Sequence, residues 1–158
     1  MKRLVLIITF AVATFAVAGI GAQSTDQWYI SGSENGARAR NNQLTLRRGT
    51  NYVYIYFRNN LPGADFDKIQ LNFTITTPLE VVWQAAYTPG QVFGSEVSAG
   101  TMSSGPIETD FASFTKNWYG GGTRLSKKDM TGMCLAITVA SGSATFVMTD
   151  VQFIGLQR

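Results

Sequence analysis

The segment Tyr52-Val53-Tyr54-Ile55-Tyr56-Phe57 holds the side chains whose type and spacing point most clearly to chemistry. In a β-strand, successive side chains point to opposite faces. One face then carries Tyr52, Tyr54 and Tyr56, with Arg58 next in line, and the other carries Val53, Ile55 and Phe57. The second set is an ordinary core face. The first is amphipathic: three flat rings, each ending in a hydroxyl that prefers water or a hydrogen-bond partner. Turned outward, such a face can stack on a sugar ring and hydrogen-bond its hydroxyls; under a loop it is one more packing layer. Trp118-Tyr119, beside Gly120-Gly121-Gly122, is a second candidate platform, because a tryptophan in a glycine-rich loop has little around it to bury it. Trp83, in an otherwise aliphatic stretch, reads as core. Gln70 and Asn72, with Thr74, would fix sugar hydroxyls if their face adjoins the tyrosines.

Catalytic chemistry is less well supplied. The chain has no histidine, which removes the usual general base and the usual zinc ligand. Cys134 is the single cysteine, so no intrachain disulfide forms, and its apolar setting Met133-Cys134-Leu135-Ala136-Ile137 reads as a small buried hydrophobe. Paired carboxylates are the remaining catalytic route. Glu108 and Asp110 have the spacing to share a strand face, while most other acids sit beside glycine, proline or serine and mark turns. These residues predict a protein that is not an enzyme. Asp150, within Phe146–Phe153, is unfavourable in a closing strand unless exposed, paired or bound to a cation. A hard cation such as calcium would need further oxygen ligands, and Glu34 in the turn Ser31–Gly36 is the candidate partner.

The elements that must position these residues are strands. Gln43–Arg47 reads as a short strand closed by Arg48-Gly49-Thr50-Asn51, followed by the tyrosine strand. Lys68–Thr76 alternates, with Ile69, Leu71, Phe73 and Ile75 on one side and Lys68, Gln70, Asn72, Thr74 and Thr76 on the other. Leu79–Thr88 is the next strand, with Trp83 and Tyr87 on the face of Val81 and Ala85. Thr88–Gly105 has strand character only around Gln91–Val97, and Ile107–Phe114 is a strand or a single helical turn. Met133–Ala140 and Ala144–Ile154 read as a closing hairpin across Ser141-Gly142-Ser143. Many short strands without a helical period predict an all-β fold, an antiparallel β-sandwich.

Ahead of that domain, Lys2-Arg3, the apolar run Leu4–Ile20 and the small residues Ala18–Ala22 have the layout of a secretory signal peptide. Residues 1–22 are expected to be removed, leaving 23–158 as one domain; an uncleaved anchor is the only expected membrane contact. Cleavage takes the formal charge from +3 to +1, since two of the 13 basic residues leave against 10 acidic ones. That balance argues against nucleic acid as a partner, and Arg38, Arg40, Arg47 and Arg48 read as a solvated strand edge. The expected address is secreted, periplasmic or cell-surface.

The tyrosine strand, the amphipathic Lys68-Ile69-Gln70-Leu71-Asn72-Phe73 and the closing Thr149-Asp150-Val151-Gln152-Phe153 together resemble β-jelly-roll carbohydrate-binding modules. The resemblance implies a jelly-roll-like sandwich that binds carbohydrate without cleaving it. It also implies a role for Asp150, since some members hold a structural calcium with an acidic residue in the closing strand. The alternative is a structural or assembly subunit at the cell surface, whose exposed aromatics and strand edges make contacts with itself or another surface protein.

Overall fold

Apolar residues at every second position run through strands far longer than the turn signals suggest. The computed structural model describes residues 28–32, 42–58 and 66–155. Its strands are β1 (Trp28–Gly32), β2 (Gln43–Phe57), β3 (Lys68–Thr88), β4 (Gln91–Ser104), β5 (Ile107–Glu108), β6 (Lys116–Tyr119) and β7 (Gly132–Ile154). They form one seven-stranded sheet in the order β1-β2-β7-β3-β4-β6, with β5 beside β3. Every pairing is antiparallel. The signal-peptide region and Glu34 lie outside the described residues.

Two expected turns and one expected strand break are bends within continuous strands. At Arg48-Gly49 the pairing of β2 with β7 shifts by a bulge, and Gly49 supplies the left-handed φ of +104°. Asn51 holds that bend: its Nδ2 donates to Arg47 O at 2.7 Å and Gly49 O at 2.9 Å, and its Oδ1 accepts from Arg47 N–H at 2.9 Å. Around Thr77-Pro78 the β3–β7 register slips between Ile75 and Val81. Ser141-Gly142-Ser143 is not the turn of a hairpin between two paired strands, because β2 passes beside it, with Gly49 opposite Val139 and Arg47 opposite Ser143. Glycine and serine suit a bulge as well as a hairpin, and the long partner strand decides between them.

These bends fold the sheet over itself. A straight strand of 23 residues would span about 75 Å. Yet Phe153, near the end of β7, packs edge-on against Phe57 at 5.5 Å. Phe57 N–H in turn donates to Thr131 O, just before β7 begins. The strand therefore doubles back, and the result is an antiparallel β-sandwich. The smaller half holds the start of β2, the end of β7, the start of β3, and β5. The larger half holds β1, the end of β2, the start of β7, the end of β3, the start of β4, and β6. Val53, Ile55 and Trp83 from the larger half join Ile69, Leu71 and Phe146 from the smaller in a single buried core. Val53, Ile55 and Phe57 are thus inside as their alternation predicts. Among the described residues no helix is long and apolar enough to cross a membrane.

Candidate functional site

The strand register assembles an aromatic surface on the outward side of the larger half. Residues directly opposite in a ladder share a face. Tyr29 is opposite Tyr56, and both Tyr56 and Tyr87 are opposite Gly132. Tyr54 and Ala85 flank Cys134, and Tyr52 and Val82 flank Ala136. Tyr87 does not share the face of Trp83. A bulge between Trp83 and Ala85 changes the parity of β3, so that Val81, Trp83 and Ala86 point into the core while Ala85 and Tyr87 point out.

The tyrosines meet face to face. Tyr29 and Tyr56 stack at 5.0 Å and 22°, Tyr54 and Tyr56 at 6.2 Å and 20°, and Tyr54 meets Tyr87 at 6.2 Å and 51°. Arg58 places its guanidinium 5.2 Å from the Tyr29 ring centroid. The rings therefore stand on the sheet and occupy one another's faces, leaving mainly edges outward. Beneath them lie the small residues Gly132, Cys134 and Ala85, and the thiol of Cys134 is sealed. Burial pushes that thiol up to about 12, with the Tyr87 hydroxyl pulling weakly the other way. Tyr87 and Tyr56 are both raised above the ordinary phenol value, by burial first. A thiol held this high is not a nucleophile at neutral pH.

Trp118 is arranged differently. It lies in the edge strand β6, not in a loop, and β6 pairs with β4 through Gly94–Lys116, Phe93–Asn117 and Val92–Tyr119. Gly94 is opposite Ala85 and so belongs to the same outward face as the tyrosines. The indole rests directly on Gly94, where any Cβ would overlap its ring-fusion atoms. One ring face is thus supported by a glycine, and Trp118 remains 43 % exposed. Tyr119 is exposed next to it, and Lys116 and Glu96 form an ion pair on the same side. Trp28 and Trp83 are core residues at 1 % and 4 % exposure, so Trp118 is the exposed one of the three tryptophans. Tyr52, Tyr54, Tyr56, Trp118 and Tyr119 are brought onto one sheet face, with β7, β3 and β4 between the two groups. Gly94 is the member that local sequence does not reveal, since its role exists only through the β4–β6 pairing.

Gln70 and Asn72 are not brought there. They lie on the outward face of the smaller half, opposite Gln152 and Asp150, on the far side of the core from the tyrosines. Asp150 is satisfied locally: Oδ1 accepts from Val151 N–H and Oδ2 from Gln152 Nε2, both at 2.8 Å. Among the described residues no group of three His, Cys, Asp or Glu side chains gathers. Glu108 pairs with Lys68 at 2.8 Å, and Asp110 caps the turn Phe111–Ser113 by accepting from Ala112 N–H at 2.9 Å.

No protein-family model matches this chain, and neither does any curated protein. Among solved structures it is similar to CtCBM11, a carbohydrate-binding module studied in solution for its structure, dynamics and binding. The two share 14% identity over 87% of this chain and 89% of the other, with a TM-score of 0.42.

Proposed function

We propose that this is an exported, non-catalytic carbohydrate-binding protein, and that the outward face of its larger half takes a polysaccharide or oligosaccharide. One observation carries the reading: the Trp118 indole lies on Gly94 and remains 43 % exposed. An apolar platform with polar groups beside it suits the CH-rich face of a sugar, and here Lys116 and Glu96 stand alongside. Tyr119 extends the platform. Tyr54 and Tyr56, with Tyr29 and Tyr87, contribute ring edges and hydroxyls rather than a second flat surface, and Tyr52 is exposed on the same face. The lack of histidine and the high Cys134 pKa support binding without catalysis. Export is supported by the layout of residues 1–22. A jelly-roll winding is supported by the β2-β7-β3 order, which recurs in both halves as the long strands cross from one to the other.

A surface assembly subunit is the second reading. What favours it is β6, an edge strand whose four residues are all exposed and so open to a protein partner. Fluorescence titration of the mature chain with soluble polysaccharides, with and without calcium, separates the two. With Trp28 and Trp83 buried, a saturable shift reports Trp118. The expected result is a shift with one glycan class that Trp118→Ala abolishes, weaker binding in Tyr54→Ala, and an intact fold in both. No shift, together with no retention on insoluble glycans and self-association on sizing, would favour the assembly subunit.

A further inference from the structure

A cleft of about 1060 Å³ opens where β3 begins, between the turn Phe111–Ser113 and the segment Thr123–Lys128. Its size is at the upper end of small-molecule sites. It has an aromatic base: Phe66 and Phe111 meet edge-on at 5.8 Å, and Phe111 is only partly buried. Lys127 anchors that base, with Nζ 5.5 Å from the Phe66 centroid and 5.6 Å from the Phe111 centroid. It donates to Phe66 O at 2.6 Å and stands 3.9 Å from Asp67.

The charges around the cleft do not balance. The lining holds four basic residues, Lys68, Arg124, Lys127 and Lys128, against three acidic ones, of which Asp67 pairs with Lys127, Glu108 pairs with Lys68 at 2.8 Å, and Asp110 accepts from Ala112 N–H at 2.9 Å. Arg124 and Lys128 line the same cleft and form no ion pair with any described residue. Two such cations in the same cleft as a partly exposed phenyl ring form a site for a ligand that is negatively charged on one side and apolar on the other. A guanidinium binds carboxylate or sulfate oxygens through paired N–H donors, and the ring accepts a face of C–H bonds.

We infer that this cleft is a second binding site, separate from the Trp118 face, for an acidic sugar unit bearing a carboxylate or a sulfate. Its anionic group lies between Arg124 and Lys128, and its apolar face lies on Phe111. The choice of a sugar rests on the carbohydrate reading above; the place and the negative charge do not.

The test is calorimetric titration of the mature chain with a galacturonate oligosaccharide, a sulfated oligosaccharide and a neutral one of equal length. Each is run on wild type, on Arg124→Gln with Lys128→Gln, and on Trp118→Ala. Both cations are exposed, so the double variant is expected to fold normally. At least one acidic ligand should bind, and the charge variant should weaken it about tenfold or more. Added salt should weaken it as well. Neutral-glycan binding should be unchanged in the charge variant, and acidic binding unchanged in Trp118→Ala. Which acid binds distinguishes carboxylate from sulfate recognition. The inference is overturned if neither acid binds, if the charge variant binds the acid as well as wild type, or if Trp118→Ala removes acidic binding. Failure of the neutral glycan alone would count against the Trp118 face and leave the cleft standing.

Discussion

β2, β3 and β7 each run through both halves of the sandwich, yet the outward faces they build are opposites. On the smaller half these strands present Thr45, Gln70, Asn72, Thr74, Thr145 and Gln152, the solvated face usual for an antiparallel sheet. On the larger half the same strands present Tyr52, Tyr54, Tyr56 and Tyr87, extended by Tyr29 on β1 and Trp118 on β6. The inward faces do not differ in kind, since both are aliphatic and aromatic and share one core. Folding therefore asks only for the inner pattern. The smaller half shows that the outer face can be polar without loss of the sheet, so the aromatic layer is not a requirement of the architecture.

The largest effect that could break this contrast is on the inner face. Phe146 is fully buried and stacks on Phe73 at 5.2 Å. Phe146→Ala is expected to cost about 3–5 kcal/mol in urea unfolding, as removal of a core aromatic does. Tyr52→Ala, on the exposed outer face, should cost well under half of that. Equal losses would mean that the tyrosine layer is a second core.

A second effect arises beneath the tyrosines. The Cys134 thiol is raised from 9.0 to about 12, chiefly by burial. Between those values the unfolded chain releases this proton while the folded chain retains it. The unfolded state then binds fewer protons, so stability is complete below about pH 9 and falls as pH rises toward about 12. The raised Tyr87 phenol acts in the same direction at higher pH. The thiol contribution is on the order of 4 kcal/mol over the whole window. Unfolding measured at about pH 8, below the window, and again at about pH 10.5, inside it, should show the loss in wild type and a smaller one in Cys134→Ala. An unchanged alkaline slope in the variant would mean that Cys134 is accessible to water.

A third prediction concerns the support under Trp118. Gly94→Ala adds one methyl group where the indole lies, at a position with no left-handed φ to strain. Trp118 must move, and glycan affinity should fall by about 2 kcal/mol, as for loss of a central aromatic contact. Thermal stability should stay within about 0.5 kcal/mol of wild type, because β6 is an exposed edge. Full affinity in Gly94→Ala would show that the platform does not depend on its glycine seat.

Alternation made much of this legible in the sequence. The split of Tyr52, Tyr54 and Tyr56 from Val53, Ile55 and Phe57 follows from the strand period and holds in the structure. The core placement of Trp83 and the burial of Cys134 also follow from their apolar neighbours. What failed to show was parity across bulges. One inserted residue between Trp83 and Ala85 carries Tyr87 to the other face, and the composition of that stretch contains no mark of it. Glycine and serine at Gly49 and Gly142 were ambiguous between bend and reversal, and only the neighbouring strand resolves them. Trp118 reads as loop because three glycines follow it, yet pairing with β4 holds it in a strand.

The smallest expected effect tests the contrast from the other side. Gln70 and Asn72 are the residue types that fix sugar hydroxyls, and by composition alone they belong in a binding site. The fold puts them on the polar face of the smaller half, in the rows shared with Gln152 and Asp150. Their contact is modest, with Gln70 Nε2 donating to Asn72 Oδ1 at 3.5 Å. Replacing both with alanine should leave neutral-glycan affinity within about 0.5 kcal/mol of wild type and change stability by no more than about 1 kcal/mol. A substantial loss of affinity, with the unfolding midpoint unchanged, would move the ligand to the smaller half. The tyrosines and Trp118 would then be a cover or a protein contact, and polar groups, not rings, would define the binding face. An unaltered affinity here beside a lost one in Gly94→Ala would assign glycan recognition to the larger half by position, since the two variants change opposite sides of one core.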